Sequence, residues 1–364
     1  MDEGKTLRYG WTTGCCATAA AKAAFEALIT GKFPDPVDVQ LPGGACPAFS
    51  LAITEHTPDY AQAGVIKDAG DDPDVTHGAL VIARVSFGTT GSGVTFKAGT
   101  GVGTVTKPGL PIPPGEPAIN PVPRKMIGDA IIERARHFNR PADAIVEVSV
   151  ANGEKIALKT LNGRLGILGG LSILGTTGIV VPYSCSAWIH GIHRGVDVAR
   201  ATGLTHLAGA TGATSENAVR CRYDLPEEAL IDMGDFVGGF LKYLRKAPVG
   251  AVTIAGGFAK MTKLAQGLLD LHSSRGQVDF DWLARAATNA GGSVTLSEQI
   301  RSANTSIEAN SLAAAAGLDL PGHIANTAWE TAASCLDCGA KRLEILVVDR
   351  EGTVLATTGL RSLH

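Results

Sequence analysis

Short segments in the first 160 residues alternate apolar and polar positions, and this period of two predicts strands. The clearest of them are residues 37–41, 49–53, 80–85, 94–96 and 145–150. Residues 155–159 are expected to pair with the last of these segments as a hairpin, because Asn152-Gly153 is a favoured hairpin turn.

Two helices and one irregular segment complete this part of the chain. Residues 17–30 combine alanine with lysine and glutamate and predict a helix that ends at Gly31 and Pro34. Residues 124–138 predict a second helix. Repeated prolines in residues 107–123 exclude a regular element there. Because strands and a helix lie on both sides of this segment, we expect an ordered loop near a functional site.

From about Leu161 the pattern changes to a repeat of strand, glycine turn and helix. Strands are predicted at 179–181, 204–208, 249–254 and 342–349, with helices at 187–201 and 258–271 and a final hairpin across Glu351-Gly352 to 353–357. Strands that alternate with helices favour a largely parallel sheet. We therefore predict an α/β protein of two domains. Residues 1–160 form an N-terminal α+β domain, and residues 161–364 form a C-terminal Rossmann-like, largely parallel sheet with helices on both faces.

Composition and charge exclude several classes of protein. The chain has 364 residues, of which 45% are hydrophobic and 18% charged, so a large buried core is expected. A net charge of -3 without a basic block argues against a dedicated nucleic-acid binder. No apolar run is long enough for a membrane span, and the first residues lack an apolar signal region. Seven scattered cysteines make a disulfide framework improbable, so we expect a cytoplasmic protein with reduced thiols.

The ribbon, residues 162–181, reads NGRLGILGGLSILGTTGIVV and is the most informative stretch of the chain. It contains no acid, histidine or cysteine, so it is not expected to transfer protons. Its glycines can expose N–H groups and admit a ligand close to the main chain, as in the binding floor of a cofactor or anion. The alternative is a tightly packed loop that needs positive φ angles.

Other motifs are weaker. Residues 67–78 contain four aspartates and a histidine, which could bind a metal, hold a general base or form a solvated turn. Thr12-Thr13-Gly14 could bind an anion at a helix start or only cap the helix. Cys335 and Cys338 form a lone C-x-x-C without further ligands at zinc-site spacing. The glycines at 101–106 do not complete a dinucleotide fingerprint, and no P-loop or hydrolase elbow is present.

Several stretches together resemble one family, the cobalt-precorrin-5B C(1)-methyltransferases, or CbiD family. The matching stretches are YGWTTGCCATAAAKAA, LPGG, KDAGDDPDVTHG, GTGVGTVTKPGL, GEPAINPVPRKMI and NGRLGILGGLSILGTTGIVVP, with weaker ones at ARATGL, GDFVGG and GGFAKMTKLAQGLLDLHSSRGQVD. They run in the expected order from about Tyr9 to Asp279. Two positions depart from the family pattern: Cys185 stands where an acidic residue is usual, and residues 210–214 replace a turn with glycine and arginine.

The resemblance implies transfer of a methyl group from S-adenosylmethionine to ring carbon C-1 of cobalt-precorrin-5B, which gives cobalt-precorrin-6A in anaerobic cobalamin biosynthesis. It implies no protein-bound metal, because the substrate carries the cobalt. The first domain and its proline-rich loop would face the corrinoid, and the second would bind S-adenosylmethionine. The alternative is a non-catalytic tetrapyrrole- or nucleotide-binding protein that keeps the cleft. The sequence leaves open whether the protein forms a homo-oligomer.

Candidate site residues follow from the resemblance and from side-chain chemistry. For the cofactor they are Gly166, Gly169, Gly170, Gly175, Thr176, Thr177, Gly178, Ser184, Thr211 and Gly212. For the carboxylate-rich ring they are Thr12, Thr13, Lys107, Glu116, Asn120 and Arg124. Candidates for proton acceptance or hydrogen bonding to the ring are Asp68, Asp74 and His77.

Overall fold

The computed structural model describes residues 6–363. The chain divides into two compact units, Met1–Ser184 and Cys185–His364. This division differs from the predicted boundary between residues 160 and 161. Residues 161–184 belong to the first unit because short strands within them pair with strands from that unit.

The first unit combines many short strands with two long helices and one short one. Its strands are β1 (Gly10–Trp11), β2 (Val37–Asp38), β3 (Ala48–Phe49), β4 (Ile53–His56), β5 (Ala61–Ile66), β6 (Leu80–Phe87), β7 (Val94–Ala98), β8 (Gly101–Val102), β9 (Thr104–Val105), β10 (Ala144–Val150), β11 (Ile167–Leu168), β12 (Gly170–Leu171) and β13 (Ile179–Val180). Its helices are α1 (Thr13–Thr30), α2 (Pro121–His137) and α3 (Gly153–Ala157). Both predicted long helices are therefore present.

A five-stranded sheet in the order β4-β5-β6-β10-β7 forms the centre of the first unit. Its pairs are antiparallel except for β10 with β7, which are parallel. Helix α1 packs against β5, β6 and α2, and its many alanines allow this close approach. Gly31 ends α1 with φ 72°, as predicted. The resulting core includes Phe25, Ile127 and Val146, all fully buried.

The predicted hairpin at Asn152-Gly153 is wrong, because these residues begin helix α3 instead. A Cβ at Gly153 would lie 2.2 Å from the Gly101 carbonyl oxygen, so the main chain here packs directly against the start of β8. The predicted strand at 37–41 shortens to the two residues of β2, and the segment 49–53 divides between β3 and β4.

The second unit alternates strands and helices. Its strands are β14 (His206–Ala210), β15 (Leu230–Asp232), β16 (Val249–Gly257), β17 (Ala340–Val348), β18 (Val354–Thr357) and β19 (Arg361–Ser362). Its α-helices are α4 (Cys185–Ala201), α5 (Ala213–Arg222), α6 (Val237–Leu244), α7 (Phe258–Ala265), α8 (Phe280–Asn289), α9 (Val294–Arg301), α10 (Ser306–Ala315) and α11 (Leu320–Leu336). Helix α7 ends six residues before the predicted 271, and Gly267 follows it with φ 92°.

The sheet of the second unit has the order β15-β14-β16-β17-β18, with β19 also paired to β17. Strands β14 to β17 are parallel, whereas β18 and β19 are antiparallel to β17. Successive residues along β14 pack on opposite faces of the sheet. Leu207 packs with α4, α6, α7 and α11, and Ala208 packs with α5. No helix within residues 6–363 is both long and apolar enough to cross a membrane.

After the neighbouring parallel strands β14 and β16, the chain turns to opposite faces of the sheet. After β14 it enters α5, which packs on one face of the sheet, and after β16 it enters α7, which packs on the other. In an open parallel sheet this arrangement leaves a crevice beyond the carboxyl ends of the two strands, which is the usual place for a ligand. We call the residues at these strand ends, Thr211–Gly212 and Gly256–Gly257, the switch crevice.

Candidate functional site

In the first unit the start of α1 lies directly against the ribbon. The Gly14 N–H donates to the Leu174 carbonyl over 2.8 Å, and the Thr12 N–H donates to the Gly178 carbonyl over 3.0 Å. The Thr13 hydroxyl accepts the Leu174 N–H at 3.1 Å. Thr12 Oγ1 accepts the Cys15 N–H and caps the helix. The ribbon and the helix cap therefore occupy the N–H groups of Gly14 and Cys15, which an anion would use at this helix start.

Most of the ribbon glycines that were assigned to the cofactor are required by packing. A Cβ added at these glycines would lie 2.2–2.5 Å from an atom of another residue. That residue is Lys107 for Gly166, Gly101 for Gly170, Thr12 for Gly175 and Leu41 for Gly178. Gly169 differs, since it has φ 84° and open space around its Cβ position. The geometry therefore matches the alternative of a tightly packed loop with positive φ angles.

The remaining ribbon candidates lie at its surface or edge. Thr176 and Thr177 are exposed, and Thr177 Oγ1 accepts the Ile179 N–H at 3.2 Å. Ser184 is half-buried at the end of the first unit.

The acidic loop, residues 67–78, lies beside β1. Asp68 forms a two-point ion pair with Arg8, with Nη2 to Oδ1 at 2.9 Å, and also accepts the Gly70 N–H. The Arg8 guanidinium and this N–H lower the pKa of Asp68 to about 2. Asp72 accepts the Tyr183 N–H at 2.8 Å. Because its pKa is lowered in this way, the Asp68 carboxylate is a weak base.

The carboxylate of Asp74 forms an ion pair with the buried ammonium group of Lys67. Lys67, only 1% exposed, contacts Asp74 Oδ2 and donates to Thr76 Oγ1 over 2.8 Å. Asp74 Oδ1 accepts the N–H and hydroxyl of Thr76 at 2.7 and 2.6 Å. Burial raises the pKa of Asp74, but the charge of Lys67 and these hydrogen bonds outweigh it, so the pKa lies below its ordinary value.

His77 is the third candidate in the acidic loop, and its ring is exposed. Its side chain is 54% exposed, and Nδ1 accepts the Ala69 N–H at 3.1 Å and lies 3.8 Å from Asp68 Oδ1. Because Nδ1 is an acceptor in this contact, a neutral ring carries its proton on Nε2. His77 is thus arranged to donate a hydrogen bond from Nε2.

Residues 107–120 lie outside the helices and longer strands, as predicted, but residues 121–123 form the first turn of helix α2, where proline is tolerated. Arg124 of α2 contacts this proline-rich loop. Its guanidinium donates to the carbonyls of Ile119 and Pro117 over 2.8 and 3.0 Å and pairs with Glu116 at 3.2 Å. Asn120 precedes α2 and bonds the Ile173 carbonyl. These contacts attach the loop to the ribbon.

The switch crevice contains the two other cofactor candidates, Thr211 and Gly212. The Thr211 N–H donates to the Ala255 carbonyl over 3.0 Å, which joins the ends of β14 and β16. A Cβ at Gly256 would lie 2.9 Å from Thr211 Cγ2, so glycine is needed for this approach. Gly212 has open space at its Cβ position. The candidates for the cofactor are therefore divided between the ribbon in one unit and the switch crevice in the other.

Two charged residues at the switch crevice were missed by the sequence analysis. Lys260 of α7 donates to the Thr211 carbonyl over 3.1 Å, and its Nζ lies 3.0 Å from Asp235 Oδ1. The second contact lacks hydrogen-bond geometry, so this shielded oxygen accepts no hydrogen bond within the described chain. Both residues lie in stretches that resemble the family, GGFAKMTK and GDFVGG. Strand β15, which precedes Asp235, has only three residues and shows no readable alternation.

The fold and these groups define a two-unit α/β protein whose second unit contains an open, mainly parallel sheet with a crevice at its carboxyl edge. The chain belongs to the CbiD family, because family models described as "CbiD" and "CbiD, C-terminal domain" match residues 1–182 and 270–359. Relatives in this family match over nearly the whole chain.

A protein of Agrobacterium fabrum named cobalt-precorrin-5B C(1)-methyltransferase is 63% identical over 362 residues, which is 100% of this chain and 96% of the relative. A protein of Methylorubrum extorquens with the same name is 58% identical and covers 96% of this chain and 97% of its own. The crystal structure of cobalamin biosynthesis protein (cbiD) from Archaeoglobus fulgidus is 29% identical, with a TM-score of 0.41, and covers 75% of this chain and 84% of that one.

Proposed function

We propose that this protein transfers a methyl group from S-adenosylmethionine to C-1 of cobalt-precorrin-5B. The observation that carries the proposal is the 63% identity, over the whole chain, to a relative named for this reaction. When bound, the donor supplies an electrophilic methyl group on a sulfonium. The protein's part is then to hold the donor and the ring carbon in line and to exclude water.

We assign the donor to the switch crevice of the second unit, which we regard as a Rossmann-like domain. Helices α5 and α7 begin directly after Gly212 and Gly257, and neither has a side-chain cap. The N–H groups of their first turns thus lie beyond the strand ends, where a carboxylate or a polar nucleoside is stabilised. The shielded Asp235 oxygen also needs a donor that the described residues do not supply.

The first unit is proposed to hold the ring. Its loops offer the Nε2–H of His77 to the carboxylates of the substrate. The paired Asp68 and Asp74 keep the acidic loop in shape, and Arg124 does the same for the proline-rich loop. In this assignment neither aspartate takes a proton from the ring.

The test is incubation of the purified protein with cobalt-precorrin-5B and S-adenosylmethionine that carries a ¹³C-labelled methyl group. Mass spectrometry is expected to show one labelled methyl group in place of one hydrogen on the ring, with an equal amount of S-adenosylhomocysteine. Binding of the ring without turnover would contradict the proposal and favour the non-catalytic tetrapyrrole-binding alternative.

A further inference from the structure

Three side chains of the second unit are placed around the carboxyl edge of the sheet, on the side of α4 and α7. They are Trp188, Asp235 and Lys260. If the proposed function holds, this crevice receives S-adenosylmethionine, which has an aromatic base, a ribose diol and a charged amino-acid group. We propose that Trp188 stacks on the adenine, Asp235 accepts hydrogen bonds from the ribose diol, and Lys260 pairs with the carboxylate of the methionine part.

The case for Asp235 rests on its unsatisfied oxygen and its position. Its Oδ1 is shielded from solvent, lies 3.0 Å from Lys260 Nζ and accepts no hydrogen bond within the described residues, whereas the side chain as a whole is 22% exposed. A buried acceptor in this condition is rare in folded proteins and is explained by a missing donor. Asp235 also follows β15, the strand after the Gly212 turn, by three residues. In sheets of this kind an acid about 20 residues after the glycine turn binds the ribose hydroxyls.

Lys260 is already turned toward the strand ends. Its ammonium group bonds the Thr211 carbonyl at the end of β14 and lies 3.0 Å from Asp235, and its side chain is 36% exposed. A lysine has three N–H donors, and the hydrogen bond to Thr211 uses one of them, so donors remain for a ligand. An arriving carboxylate would thus meet a cation beside the first turns of α5 and α7, which favours negative charge.

Trp188 supplies an aromatic surface on the β15 side of the crevice. Its Nε1–H donates to the Asp232 carbonyl over 3.3 Å, and a Cβ on Gly234 would lie 3.3 Å from three indole atoms. Gly234 has φ 53°, so glycine suits both the backbone and the close approach of the indole. The ring is held in place, yet the residue is 50% exposed. A fixed and half-exposed indole is a suitable stacking surface for a purine base.

The order of the three groups matches the order of the parts of the donor. Trp188 and Asp235 lie at the end of β15, and Lys260 lies on the helix that follows β16, two strands further along the sheet. Adenine at the β15 side and the carboxylate at the β16 side then place the ribose between them. The sulfonium, which links the ribose to the amino-acid part, would lie above β14 and β16.

The test for Lys260 compares two ligands by calorimetric titration of the full chain. S-adenosylhomocysteine carries the carboxylate, and 5′-methylthioadenosine has the same adenine and ribose without the amino-acid part. Lys260→Met is expected to weaken binding of S-adenosylhomocysteine about tenfold or more and to leave 5′-methylthioadenosine within about twofold. Lys341→Met, an exposed lysine at the amino end of β17, is the control and should change neither.

The other two groups predict a different pattern. Asp235→Asn is expected to weaken both ligands by about tenfold, because both contain the diol. Asp224→Asn, an exposed residue before the amino end of β15, should weaken neither. Trp188→Ala should also weaken both by about tenfold, and Trp188→Phe should restore most of the affinity. Circular dichroism and the Tm of each variant show whether it is folded.

The outcomes separate this inference from the proposed function. If the wild-type chain binds S-adenosylhomocysteine but Lys260→Met loses affinity equally for both ligands, or for neither, the assignment of Lys260 is wrong. Unchanged affinity in Asp235→Asn or Trp188→Ala overturns the assignment of that residue. If the folded wild-type chain binds neither nucleoside while it methylates nothing, the donor itself is wrong, and the inference fails with the proposed function.

Discussion

Glu344 is fully buried in the middle of the second unit, and both of its carboxylate oxygens accept hydrogen bonds from neighbouring side chains. Its two oxygens accept from Arg222, Tyr223, Thr253 and Thr357 at 2.7–3.1 Å. Four donors around one buried carboxylate satisfy the hydrogen-bonding capacity of both its oxygens. This side chain therefore ties α5 and β18 to the central strands β16 and β17.

His206 is the titratable neighbour of this network. Its Nε2 lies 2.9 Å from Thr253 Oγ1, and its ring packs edge-on against Tyr223. Burial lowers the pKa of His206 and Arg342 lowers it further, while the charge of Glu344 opposes the shift only in part. The unfolded chain therefore binds a proton to this residue at higher pH than the folded chain does, with an ordinary pKa of about 6.5.

The sign of this shift predicts how stability depends on pH. The contribution of His206 is complete above about pH 6.5 and is lost as the pH falls from there toward the lowered value in the folded protein. We expect the Tm of the wild type to fall more between pH 7.5 and 5.5 than that of His206→Gln. His272→Gln, at an exposed loop, should follow the wild type. Equal falls in the wild type and His206→Gln would contradict the prediction.

The ribbon, at the scale of elements, is a packed segment that joins α1, β1 and the proline-rich loop. Gly175 shows this most clearly, since its φ is 139° and a Cβ would lie 2.2 Å from Thr12 Oγ1. A loss of donor binding on replacing Gly175 would therefore not place the donor on the ribbon, because the change also displaces the cap of α1.

Two alanine substitutions in the ribbon separate packing from backbone strain. Gly175→Ala is expected to destabilise the protein by about 2–3 kcal/mol, because strain and a clash with Thr12 add together. Gly169→Ala carries only the strain, with open space around it, and is expected to cost about 1 kcal/mol. Urea denaturation measures both. Equal free energies of unfolding for the two variants would show that the contact with Thr12 is unimportant.

The local residue pattern predicted the elements that depend on neighbouring residues. It did not predict contacts between residues far apart in the chain. Helices α1 and α2 were predictable because their residues favour helix and their ends carry turn residues. The glycine turn at Thr211–Gly212 was recognisable from the strand-turn-helix order. The pairing of Gly14 with Leu174 joins residues 160 positions apart, and no period in the sequence reports such a contact. The Asp235–Lys260 pair escaped notice for the same reason.

In the whole molecule, the two largest apolar cores of the described residues lie in different units. One is formed by residues between Cys15 and Ile173 and the other by residues between Ile192 and Val347. The last segment of the first unit, residues 161–184, supplies β11, β12 and β13, each of which pairs within that unit. The division at Ser184 is thus a division between cores, as expected for units that fold independently.

Two fragments test this division. Residues 1–184 are expected to unfold in one cooperative thermal transition, since their core is complete. Residues 1–160 lack Leu171 and Ile173 of that core and should unfold at least about 10 °C lower or aggregate. Circular dichroism melting distinguishes them. A fragment 1–160 as stable as 1–184 would restore the boundary predicted from the sequence.

The position of β17 in the second sheet has a consequence for synthesis of the protein. Strand β16 pairs with β17, but helices α7 to α11 separate them in the chain, so the ribosome makes β17 more than 80 residues after β16. Until then the nascent chain presents one side of β16, with Val252 and Ile254, as an unpaired apolar edge. Such an edge invites pairing with another chain. Ribosomes that stall before Ala340 would therefore release an aggregation-prone product, although most of the protein had been made.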